Sequence, residues 1–230
     1  MKPELPSTES DEGLAQLLTG YGPCTLLLLS LLALVLIYPY LENTATSRII
    51  LGILYSCILV GAVYVVGRHR RTFAVGVTLA LVSVGLQLSY FVTDDIWLYR
   101  LTGVSHVAFL LFTIAGIAGY VLRKGTITAD KLHGALAAYI MLAFLWAFIY
   151  ALIESLVPGS FSLEGAHVTS RDAFFRLFYF SFTTLTTTGY GDIVPLTDKA
   201  RSVAMIEQFI GVFFVAVVIA RLAGFYPAQK

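Results

Sequence analysis

The residues most able to do chemistry lie together in Thr184–Leu185–Thr186–Thr187–Thr188–Gly189–Tyr190–Gly191–Asp192. Their resource is backbone oxygen rather than reactive side chains. A cation that leaves water for a low-dielectric medium loses solvation on the order of tens of kcal/mol. It needs replacement oxygens at close, repeated spacing. Backbone carbonyls supply them when the chain runs extended with its C=O groups turned to one axis. Alternate residues must then tolerate unusual dihedrals, and Gly189 and Gly191 reach positive φ at little cost. One copy of such a segment cannot surround an ion, so four chains are expected to meet on an axis.

The remaining candidates are isolated. Asp, Glu and His residues are scattered, with no paired carboxylates and no metal-ligand spacing, so no enzyme and no cofactor is expected. Cys24 and Cys57 both fall in apolar runs and read as small packing residues. A disulfide scaffold is excluded, and so is a nucleic-acid binder, because the net charge is +1 and no basic stripe exists.

What must position the Thr-Gly segment is a membrane. Of the 230 residues, 58% are hydrophobic and 13% charged, and the mean hydropathy is +0.83. That much apolar surface exceeds what a core of this size can hide, so part of it must face lipid. A spanning helix needs about 20 mostly apolar residues. Six runs qualify: Cys24–Leu41, Ile49–Gly67, Thr72–Val92, Leu98–Leu122, Leu136–Leu156 and Ser202–Gly224. The fold class expected is therefore an all-α membrane protein. The stretch from Val157 to Arg201 is too long for a tight turn and too aromatic for an ordinary surface loop.

Loop charge sets the orientation. Arg68, Arg70 and Arg71 follow the second run, and Arg123, Lys124 and Lys131 follow the fourth. These loops are expected on the cytoplasmic side of a plasma (inner) membrane, with both termini. Met1 to Thr19 carries Glu4, Glu9, Asp11 and Glu12 against Lys2, which does not suit a signal peptide. The Thr-Gly segment then faces outward.

Flanked in this way, Thr187–Asp192 resembles the T-V-G-Y-G-D signature of the tetrameric potassium channels. The likeness extends over about Gly134 to Gly224 and includes Pro195, Thr197 and Arg201. It implies a homotetramer in lipid that conducts potassium passively, the ion being its only small partner. It assigns the ion sites to the carbonyls of Thr187, Thr188, Gly189, Tyr190 and Gly191, with the Thr187 hydroxyl closing the innermost site. Thr188 replaces the usual valine, its hydroxyl expected to turn off the axis.

The implied domains are a cytoplasmic segment (1–20), a four-helix peripheral domain (21–124), a linker (125–132) and a pore domain (133–230). The pore domain divides into an outer helix (133–156), a pore helix (about 171–186), a filter (187–191) and an inner helix (202–224). Filter support is assigned to Asp192, Thr183, Tyr179 and Glu207. Relatives keep a glutamate where this chain has Thr183, and Glu207 is expected to reach that zone from the inner helix and bond Thr183, Thr184 or Tyr179. The aligned aromatic pair of the pore helix is Tyr179 and Phe180; since Phe180 has no hydrogen-bonding group, the filter's surround must differ from that of relatives. Gly211 falls at the family's gating hinge, and close packing is the competing reading. Val212, Val215, Ile219 and Ala223 are assigned to the cavity lining.

The fourth run carries Arg100 and His106 before its inner end, without the cationic row that a voltage sensor needs. Strong voltage gating is therefore not expected. An electrically silent subunit that modifies a partner channel is the alternative.

Overall fold

The computed structural model describes residues 22–40, 58–65, 67, 70–123, 128–162 and 171–223. These residues are helical apart from short connections and an isolated bridge between Phe161 and Pro195. The helices are α1 (Pro23–Ile37), α2 (Arg70–Thr93), α3 (Ile96–Val121), α4 (Ala129–Leu156), α5 (Arg171–Leu185) and α6 (Asp198–Ala223). Residues 58–65 are also helical. Helices α2, α3, α4 and α6 are long and apolar enough to cross a membrane, whereas α1 is apolar but shorter. An all-α, multi-pass integral membrane protein accounts for this pattern. The segment 1–20, most of the second predicted run, Lys124, residues 125–127 and the end beyond Ala223 lie outside the described residues.

Two helices begin earlier than their apolar runs. Thr128 caps α4 by accepting the Lys131 amide at 3.3 Å, and Asp130 lies in the first turn. An acid there favours the positive helix end. Residues 129–132, expected in a linker, are therefore the first turn of the outer helix. Helix α6 starts at Asp198 rather than 202, with Thr197 Oγ1 accepting the Ala200 amide at 3.3 Å. Polar caps extend both helices past their hydrophobic limits.

Helix α4 is the centre of the fold and packs against α1, α3, α5 and α6. Its buried face includes Ala137, Met141, Ala143, Ala147 and Tyr150. Small residues allow the close approach on which helix association in lipid depends. Gly103 of α3 brings the backbone against Leu152 of α4, where an added Cβ would lie 2.9 Å from a leucine methyl. His106 stacks on Phe148 at 4.7 Å and Arg100 donates to the Ser155 carbonyl at 2.5 Å. At the opposite end, the Arg123 carbonyl accepts from Lys131 Nζ at 3.3 Å and Arg221 Nη2 at 2.8 Å. Helix α3 is thus tied to α4 at one end and to α4 and α6 at the other.

Candidate functional site

Helix α5 ends at Leu185, where its last carbonyls would ordinarily lack partners. The next residues fold back to supply them. The Thr187 amide donates to the Thr184 carbonyl at 3.0 Å, and the amides of Thr188 and Gly189 share the Thr183 carbonyl at 2.8 and 3.2 Å. The amides of this segment are therefore turned toward the helix end. Among the described residues, no hydrogen bond ends on the carbonyls of residues 187–191.

Backbone φ is positive at Thr187 (+59°), Gly189 (+55°) and Gly191 (+80°), and negative at the residues between them. Alternating left- and right-handed dihedrals turn successive carbonyls toward one side, which a regular strand does not do. The glycines take this conformation freely, whereas the β-branched Thr187 is strained in it. Glycine reasoning did not reveal Thr187; the regular spacing of 187, 189 and 191 is the signal that could have. Residues Thr187 to Asp192 are all exposed in the single chain. Thr188 turns its hydroxyl onto the Thr186 hydroxyl at 2.9 Å.

Behind the segment, Tyr179 stacks parallel to Tyr190 with ring centroids 6.4 Å apart, and its hydroxyl pairs with Asp192. Phe180 is buried between Tyr150 and Phe161, at 5.2 and 5.5 Å. Where hydrogen bonding is impossible, this chain supplies an aromatic cluster. Phe161 is held in turn by Glu154, whose carboxylate accepts the amides of Gly159 (2.7 Å) and Phe161 (3.0 Å). Ser160 and Ser162 pair with the backbone of Leu196 and Val194, just past the segment. Sequence reasoning missed both Glu154 and Phe161, because neither stands out from its neighbours by type or spacing.

Glu207 is fully buried but does not bond Thr183, Thr184 or Tyr179. Its oxygens meet the Ser181 hydroxyl at 2.5 Å and the Tyr150 hydroxyl. Helical geometry explains the correction. Ser181 faces inward with Leu177, Phe178 and Leu185, whereas Tyr179 faces outward and the Thr183 hydroxyl bonds back to the Phe180 carbonyl at 3.0 Å. Gly211 lies against the end of α5, where any Cβ would overlap the Leu185 carbonyl oxygen and stand 3.0 Å from its carbon. The same carbonyl accepts from Tyr139 at 3.1 Å. Val212, Val215 and Ile219 are exposed on α6. Ala223 is in the last turn of that helix, and its side chain lies outside the described residues.

Residues 136–226 match a family model described as ion channel. Over 155 residues the chain is 31% identical to the voltage-gated potassium channel Kch of Escherichia coli strain K12, an alignment covering 61% of this chain and 35% of that protein. The chain thus spans about a third of the length of the curated relative it matches. No solved structure matches. Residues 136–226 are thus similar to ion channels, and the Gly-Tyr-Gly-Asp motif among them stands after a short helix and between two apolar ones.

Proposed function

We propose that four copies of this chain assemble around an axis and conduct potassium selectively and passively, with the carbonyls of Thr187, Thr188, Gly189, Tyr190 and Gly191 lining the path. The observation that carries this reading is the positive φ at Thr187, Gly189 and Gly191, combined with amides committed to the helix behind. Such a segment has carbonyls to spare and, among the described residues, no hydrogen-bond donor on them. Three neighbours would complete a ladder of oxygens in place of the ion's water. The exposed apolar faces of α6, at Phe209, Val212, Phe213 and Ile219, then meet one another or line the cavity below.

The peripheral helices act in this reading as a fixed support, with 21–124 as one domain and 133–230 as the pore unit. Arg100 is spent on a helix-end carbonyl, and α3 has no cationic row behind it. Voltage dependence is accordingly weak. Six spans follow from the apolar runs and cytoplasmic termini from the loop charges, in a plasma (inner) membrane. Gly211 and the α5 end that it touches form the joint at which inner-helix movement reaches the filter.

The experiment is ion flux into liposomes that contain the purified protein alone. Potassium uptake well above sodium uptake is expected. Absence of any flux would favour the silent-subunit reading, and equal flux of the two ions would reject the selectivity.

A further inference from the structure

The mechanism of conduction makes no use of Glu207, the most deeply buried acid of α6. Its surroundings fix its hydrogens. The Tyr150 hydroxyl has one proton, and it donates to Oε2. The Ser181 hydroxyl also has one proton but faces two acceptors, the Ala143 carbonyl at 2.9 Å and Glu207 Oε1 at 2.5 Å. If Ser181 serves the carbonyl, the contact to Oε1 requires a proton on the carboxyl group. Donation then runs in one direction, from Tyr150 to Glu207, from Glu207 to Ser181 and from Ser181 to Ala143, with no hydrogen missing.

A charged carboxylate would break that chain. Ser181 would have to turn its proton to the acid and abandon Ala143. The charge would also stand in a membrane-embedded site without a cationic partner: Glu207 forms no ion pair among the described residues. Ion-sized charges in such surroundings neutralise rather than persist unpaired. The titratable groups that face it are the hydroxyls of Tyr150 and, one step further, Tyr139, both from α4; α5 presents Ser181.

We propose that Glu207 is a neutral carboxylic acid whose proton locks α5 to α4 and α6, and that loss of this proton loosens the helix carrying the ion path. The proposal rests on the channel reading only for its effect on conduction. The sign follows from the proton count: the intact bundle holds a proton that the loosened one releases, so rising pH favours loosening.

The test is infrared spectroscopy of the full chain in lipid at neutral pH. The difference spectrum between the parent protein and Glu207→Gln should contain the C=O stretch of a protonated carboxylic acid, and that band should vanish on alkalinisation. A carboxylate band pair in its place overturns the proposal. Should Glu207→Gln fail to assemble, Tyr150→Phe removes one donor and must shift the same band; an unmoved band is equally adverse. Potassium flux forms the second arm. Flux through the parent should fall as pH rises, and the Glu207→Gln profile should be flat; a parallel fall in both sinks the proposed link to conduction. If the parent shows the acid band but no flux at neutral pH, the proton site stands and the channel reading fails.

Discussion

Thr187, Gly189 and Gly191 do at residue scale what no side chain in the chain does, because they turn backbone oxygen outward from a helix end. Gly189→Ala would place a Cβ at φ +55°, a conformation that costs an L-residue roughly 1–2 kcal/mol. Loss of potassium selectivity, read as a reversal potential that moves toward zero under bi-ionic conditions, is the expected outcome; an unchanged value would show that the ladder lies elsewhere. Val194 tests the outer mouth. It is the second residue past Asp192, it is partly exposed and it has no π face. Block by external tetraethylammonium should be weak in the parent and stronger in Val194→Tyr, since an aromatic face attracts such a cation by roughly 0.5–2 kcal/mol. A variant no more sensitive than the parent means that residue 194 does not ring the entrance. Motif and glycine positions were legible in the sequence because they are matters of residue type and short spacing. Partners of Glu207 were not, because they depend on which face of α5 turns inward, and the aromatic residues there leave both faces apolar enough to be buried.

Among the elements, α5 is decisive, and what holds it comes from three directions: Tyr139 and Ala143 of α4, Glu207 and Gly211 of α6, and the folded-back amides of its own continuation. Gly211→Ala tests whether this residue acts as a hinge alone. Its methyl would overlap the Leu185 carbonyl. Overpacking of this kind costs about 1–3 kcal/mol, and a lower melting temperature together with altered selectivity is the expected result. A change in opening kinetics alone, with stability and selectivity intact, would favour the pure hinge. Arg100→Ala removes a charge-assisted bond to the end of α4 worth roughly 1.5–3 kcal/mol. Stability should fall, while the slope of conductance against voltage should not; a flatter slope would restore Arg100 as a sensor. Apolar runs reveal that helices exist but not where they stop, since Thr128 and Thr197 start α4 and α6 by capping, outside the hydrophobic stretch.

Across the whole molecule, α3 is bonded at its two ends to α4 and α6. In the proposed reading, these bonds keep the helix from sliding through the field. A charge that crosses it entirely is worth about 2.3 kcal/mol per 100 mV, and this chain presents no row of such charges. A shallow conductance–voltage relation in protein free of blocking ions is expected, and a steep one would contradict the fixed support. The packing of α3 on α4 and α6 of its own chain was invisible in the sequence, because hydropathy places helices in the bilayer without choosing their neighbours. Finally, Thr187 occupies a backbone conformation that its own side chain opposes, in a segment whose oxygens accept no hydrogen bond among the described residues. A permeating ion would satisfy those oxygens and so offset the strain at Thr187, acting as a ligand for the folded state, which stabilises by mass action. If potassium is the permeant ion, assembled protein should withstand heating longer in potassium than in sodium at equal ionic strength; equal lifetimes in the two salts would count against such a ligand role.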